Sequence, residues 1–130
     1  MTTVRPFLMF EGRAEEAMDF YSELFADAVI DEIERYREGE VGKPGSVKRA
    51  QFSIGDQTLL LHDSPVHHEF RFTPSFSLFV ECDSEEQLAW LSEQLSEDGR
   101  VFMPLGTYGF SRQFAWVADR FGVSWQLNLA

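Results

Sequence analysis

The side chains with metal-compatible chemistry gather in one stretch of this sequence, His62, His67, His68 and Glu69. Adjacent histidines in an irregular segment rarely converge on one ion. No His-x3-His spacing, which would set two imidazoles on one helix face, occurs either. The stretch therefore reads as an exposed connection. His62 stands apart, because it ends a strand-like run and can offer a hydrogen-bonding or proton-accepting ring. Cys82, the single cysteine, has no cation or histidine beside it in sequence to favour the thiolate, so it reads as a buried structural residue. Asp83, Glu85 and Glu86 read as an acidic helix start favoured by the helix dipole. No serine lies in the strained, glycine-flanked turn that a hydrolase nucleophile needs.

Polar and aromatic residues that could line a site concentrate near the C-terminus. Arg112, Phe114, Trp116 and Ala118 alternate with Gln113, Ala115 and Val117. Val123, Trp125, Leu127 and Leu129 alternate with Ser124, Gln126 and Asn128. Successive strand residues point to opposite faces, so the candidates are split between two faces, and periodicity leaves open which one lines a site. Gln126 and Asn128 share a face with Ser124. Such a polar row on a central strand lines either water or a ligand. With Phe10, Ser77 and Phe79 from neighbouring strands it would form aromatic walls around a few polar anchors, the usual build of a small-molecule site. Tyr108, between Gly106 and Gly109, reads as either a lid or a passive turn.

The elements that must position these residues read twice in the same order. Arg5 to Phe10 is a strand. Ala14, Ala17, Met18, Tyr21, Leu24 and Phe25 form a helical stripe. Ala28 to Tyr36 is a half-exposed strand, and Arg37 to Ser46, rich in glycine, is expected to be a mobile loop. Val47 to Ile54 and Gln57 to His62 make a hairpin around Gly55-Asp56. After a connection rich in proline and histidine, Ser75 to Glu81 is a strand and Ser84-Glu-Glu-Gln87 has capping-box spacing. Leu88, Leu91 and Leu95 form the second stripe, with Gly99 at the expected C-terminal glycine cap. Val101 to Leu105 is a strand, and a hairpin around Asp119-Arg120-Phe121-Gly122 closes the chain. Both halves read strand–helix–strand–strand–strand, which makes 4–63 and 74–130 pseudo-repeats of one α+β domain. Aligning Gly55 with Gly122 sets the two hairpins 67 residues apart.

The whole composition fits this reading. The chain has 130 residues, of which 44% are hydrophobic and 15% aromatic, enough for a real core and far from disorder. A net charge of −11 opposes nucleic-acid binding, which needs clustered cations, and is compatible with a cationic ligand. No run of apolar residues is long enough to span a membrane, and the lone cysteine fits a reducing compartment, so a cytoplasmic protein is expected.

Leu8-Met-Phe-Glu-Gly-Arg-Ala-Glu-Glu-Ala-Met-Asp-Phe-Tyr21, Met103-Pro104 and Phe114-Ala-Trp-Val-Ala-Asp-Arg-Phe-Gly-Val-Ser-Trp-Gln-Leu127 resemble the PhnB-like proteins of the vicinal oxygen chelate (glyoxalase/bleomycin-resistance) superfamily. The resemblance implies two paired βαβββ modules forming cup-shaped mixed sheets, and a homodimer in which both chains help to build each cup. It also implies metal positions at about Arg5 or Pro6, Leu59, Ser75 and Gln126. Of these only Gln126 is a usable ligand, and one neutral oxygen does not hold a divalent ion against water. No metal and no cofactor are therefore expected. Relatives often carry the name 3-demethylubiquinone methyltransferase, but a methyl-donor nucleotide site ordinarily needs a glycine-rich strand-to-helix turn, and none is legible. The function expected is capture of an unknown small molecule, cationic or aromatic, in a metal-free aromatic cup. The alternative is a glyoxalase-like lyase, isomerase or dioxygenase-type enzyme. The expected ligand contacts are Phe10, His62, Ser77, Phe79, Tyr108, Arg112, Phe114, Trp116, Gln126 and Asn128.

Overall fold

A computed structural model describes residues 1–130, which divide into two compact units, Met1–His68 and Glu69–Ala130. The first contains β1 (Phe7–Phe10), α1 (Ala14–Leu24), β2 (Ala28–Arg35), β3 (Val47–Ile54) and β4 (Gln57–Asp63). Its sheet order is β1-β4-β3-β2, with β1 parallel to β4 and the other pairs antiparallel. Ala14, Ala17, Met18, Tyr21 and Leu24 of α1 are buried, and the Tyr21 ring lies 6.3 Å from that of Phe52. Leu8, Phe10, Ala50, Phe52, Leu59 and Leu61 complete this core. Each buried Leu, Met or Phe side chain among them contributes on the order of 2 kcal/mol by leaving water.

The start of α1 is closed from a distance. Its N-cap, Arg13, offers no side-chain bond. Instead the buried Asp63 carboxylate accepts from the backbone N–H of Gly12 and Ala14 through Oδ1, and from that of Val47 through Oδ2. The 37–46 segment, expected to be mobile, is held by several contacts. Tyr36 N–H donates to Ser46 O, Gly45 N–H to Tyr36 O, and Lys48 Nζ reaches Glu40 Oε2 at 2.5 Å. Gly42 lies flat against the Tyr36 ring, where a Cβ would come within 2.3 Å of it.

The second unit repeats the order with β5 (Ser77–Glu81), α2 (Glu85–Ser96), β6 (Arg100–Gly106), β7 (Gln113–Ala118) and β8 (Ser124–Leu129). Its sheet runs β5-β8-β7-β6, with only β5 and β8 parallel. Leu88, Leu91 and Leu95 of α2 are fully buried, together with Ala115, Val117, Trp125 and Leu127 of the sheet. Ser84 Oγ accepts from Gln87 N–H as its spacing predicts, while Gln87 Oε1 takes the N–H of Asp83. The glycine after α2 has a different reason from the one expected. The left-handed residue is Asp98, at φ 59°. Gly99 is required because a Cβ there would sit 2.1 Å from Ala118 O. Pro104 lies in β6, an edge strand, where its missing N–H leaves no ladder bond unmade.

The closing hairpin is tied by its first loop residue. Buried Asp119 accepts from Phe121 and Val123 N–H through Oδ1, and from Trp125 Nε1 through Oδ2. Gly122, at φ 92°, makes the reversal possible.

Candidate functional site

The register of β8 decides which of the two hairpin faces is available. Ser124, Gln126 and Asn128 pair with Ala118, Trp116 and Phe114 on one side, and with Ser77, Phe79 and Glu81 on the other. All of these lie on one face. Trp125, Leu127, Ala115 and Val117 form the opposite face, buried beneath α2. Trp116 and Trp125, near neighbours across the hairpin, thus serve opposite surfaces.

Two polar chains cross the open face. In the first, Trp116 Nε1 donates to Ser124 Oγ at 2.8 Å, Ser124 and Ser77 share a bond of 2.7 Å, and Gln126 Nε2 donates to Ser77 Oγ at 3.2 Å. In the second, Ser111 Oγ donates to Asn128 Oδ1, and Asn128 Nδ2 donates to Glu81 Oε1 at 2.9 Å. Aromatic rings surround them. Phe110 meets Phe114 edge-on at 4.9 Å, Tyr108 stacks on Phe110 at 6.2 Å, and Phe79 lies 6.5 Å from Phe114. Phe102 lies 5.2 Å from Trp116. Phe114 is only 4% exposed, yet Phe79 and Phe110 are 56% and 61% exposed. Phe79 and Phe110 thus present large apolar rings to solvent beside the polar row. The loop bearing Tyr108 is closed by Tyr108 Oη donating to Pro104 O at 2.5 Å and Thr107 Oγ1 donating to Arg112 O.

Seven of the ten expected contacts therefore meet here: Ser77, Phe79, Tyr108, Phe114, Trp116, Gln126 and Asn128. Arg112 stands beside Ser111 with its backbone N–H on Leu129 O and its side chain exposed. Phe10 does not join them. It follows Leu8 onto the buried, α1-covered face of the first sheet and is 5% exposed. His62 belongs to the open face of that sheet, half-buried, with its ring 5.8 Å from Phe7. Its Nδ1 lies 2.7 Å from Lys48 O, an obligate acceptor, so Nδ1 carries the hydrogen of that bond. Leu59, expected at a metal position, points into the core at 1% exposure. The 67-residue offset placed it there. An odd offset between two strands exchanges their faces, and the five-residue turn region 119–123 against the two-residue Gly55-Asp56 turn accounts for the slip. Phe7 with Leu60, and Met9 with His62, are the paired residues on the open side.

Glu81, Ser111 and Phe110 join the site without having been singled out. Glu81 was legible as the strand neighbour of Phe79 at period 2. Ser111 and Phe110 precede the strand, and no periodicity reaches them.

Other candidates resolve as structural. Cys82 is 8% exposed, and burial pushes its thiol up to about 11, against thiolate chemistry. His67 and His68 converge on a carboxylate, with Glu11 bonded to His67 Nδ1 and to the His68 N–H. These bonds hold the Glu11 carboxyl below its usual range, the His67 contact foremost. An open cleft of about 570 Å³ beside them includes Glu11, Glu15, Lys43, Asp63 and Ser64 in its lining. Its carboxylates are already engaged, Asp63 by backbone and Glu15 by Arg35 at 2.6 Å. No group of three or more His, Cys, Asp or Glu side chains is arranged to hold a metal ion.

Two βαβββ units, each an open four-stranded mixed sheet with one helix, define the glyoxalase/bleomycin-resistance fold. The fosfomycin resistance protein FosX of Listeria monocytogenes matches with a TM-score of 0.66 over 100% of this chain and 93% of its own, at 11% identity, a likeness of fold alone. The family described as 3-demethylubiquinone-9 3-methyltransferase matches residues 2–128, and the chain belongs to that family. A putative 3-demethylubiquinone-9 3-methyltransferase, PhnB protein, of Bacillus cereus is 48% identical, with a TM-score of 0.94 over 99% of this chain and 100% of its own. Protein PA1353 of Pseudomonas aeruginosa is 24% identical, with a TM-score of 0.82 over 99% and 98%. No curated protein matches the sequence.

Proposed function

We propose that this protein captures a small organic molecule with a flat or apolar body on the open face of its second unit. The observation that carries the proposal is the exposure of Phe79 and Phe110 around the ordered row Trp116–Ser124–Ser77–Gln126. A rigid polar row supplies orientation and the rings supply contact area. A homodimer belongs to the same proposal, supported by exposed Val29 and Ile30 on edge strand β2 and by Val101 and Leu105 on edge strand β6. So does a cytoplasmic location, supported by the single cysteine being free and buried.

Methyl transfer, which the family description names, is outside the proposal. The two strand-to-helix connections read Glu11-Gly12-Arg13 and Cys82-Asp83-Ser84, and neither is the glycine-rich turn that cradles a nucleotide. A native mass spectrum of the protein as purified, repeated after denaturation, tests capture. The expected result is an organic mass that leaves on denaturation and is absent from Trp116→Ala and Gln126→Ala. Retention of that mass by both variants would place the site elsewhere. Loss of activity or stability with a chelator would favour the metal-dependent enzyme instead.

A further inference from the structure

The hydrogen-bond directions on the open face of the second unit specify what it can still bind. Trp116 Nε1 is a donor only, so Ser124 Oγ must accept from it. The Ser124 proton then goes to Ser77 Oγ, 2.7 Å away. Ser77 sends its own proton towards Pro74 O at 3.5 Å and accepts from Gln126 Nε2. With Nε2 turned to Ser77, the Gln126 amide leaves Oε1 free of any protein donor. The second chain is fixed from its other end. Glu81 accepts only, so Asn128 turns Nδ2 towards it and presents Oδ1 to Ser111. One oxygen of the exposed Glu81 carboxylate is used by Asn128, and its charge has no cationic partner. Two cations share the alternation of this face, Arg112 just before β7 and Arg100, which pairs with Ala118. Arg112 forms no ion pair with Glu81, and the Arg100 guanidinium lies 5.5 Å from the Phe102 ring centroid. What remains is mostly acceptors, one formal negative charge and the exposed rings of Phe79 and Phe110, on a chain of net charge −11.

We infer that the ligand is an organic cation, a protonated amine or guanidinium on a planar apolar body. Its N–H groups donate to Gln126 Oε1 and Glu81 while its body packs on Phe79 and Phe110. Ring faces carry negative potential and favour the same sign of charge. This inference rests on the capture reading and adds to it the chemical class of the ligand.

Three probes with one indole body separate the alternatives: tryptamine, neutral tryptophol and indole-3-acetate, titrated into the isotope-labelled full chain with backbone and side-chain amides followed by NMR. Tryptamine is expected to shift the side-chain amides of Gln126 and Asn128 and to bind about tenfold or more tightly than tryptophol, the scale of one charge-assisted hydrogen bond. In Glu81→Gln, which keeps an acceptor for Asn128 and so preserves the row, that preference should vanish while tryptophol binding persists. Equal binding of tryptamine and tryptophol at this face, or tightest binding of indole-3-acetate, would overturn the cation inference and leave capture standing. If none of the three shifts this face in a folded protein, both readings fall.

Discussion

The most consequential single residues here are buried groups whose partners are backbone or ring N–H donors. Asp119 and Asp63 each take three such bonds, and neither can be replaced without leaving donors unmet in a dry site. Cys82 is the residue where burial makes a prediction about pH. Its thiol is raised from an ordinary 9.0 to about 11, desolvation being the main cause. The folded state therefore holds this proton more tightly than the unfolded chain. The stability it contributes is complete below pH 9 and is lost as pH rises through the window to 11. Between pH 8 and pH 10.5 the unfolding free energy from urea denaturation should fall further for the wild type than for Cys82→Ala, by up to about 2 kcal/mol. An equal fall in both proteins would mean that the thiol ionises freely.

Elements differ in how locally they are specified. The start of α2 is closed by Ser84 three residues from its donor, whereas α1 relies on Asp63, 49 residues beyond Ala14. Ser84→Ala should cost about 1 kcal/mol, as for an ordinary N-cap. Asp63→Ala should cost roughly 3 kcal/mol because it strips α1 and β3 at once. Chemical denaturation of both variants decides this, and comparable losses would mean that α1 needs no distant cap. The turn after α2 gives a second contrast. Gly99→Ala drives a Cβ to 2.1 Å from Ala118 O, so it should cost roughly 2–3 kcal/mol by overpacking. Asp98→Gly, at φ 59°, should be neutral or stabilising by up to about 1 kcal/mol. Melting temperatures that rank the two variants the other way round would restore Gly99 as the cap. Helix stripes and strand alternation were legible because each is a local periodicity. The cap of α1 and the need for Gly99 were not, because both depend on backbone brought close by the sheet.

At the scale of the whole molecule, a net charge of −11 works against compactness and favours cationic ligands. Raising ionic strength from about 0.01 M to about 0.15 M shortens the screening length from about 30 Å to about 8 Å. The melting temperature should rise by a few degrees, on the order of 1 kcal/mol of relieved repulsion, and a fall would show that attractive pairs dominate. The sequence by itself determined the order of elements, the two helix stripes, the α+β class and the family, since each rests on spacing within a short window or on motifs quoted in line. It also determined the candidates Gln126, Asn128, Phe114 and Trp116, through their types and alternation. Only the tertiary structure decided which hairpin face is open, because α2 must cover one side and strand register makes that choice for every residue at once. The same register sent Phe10 and Leu59 into the core and brought Glu81 and Ser111 to Asn128. A period of two leaves a strand's faces equivalent until a helix covers one of them.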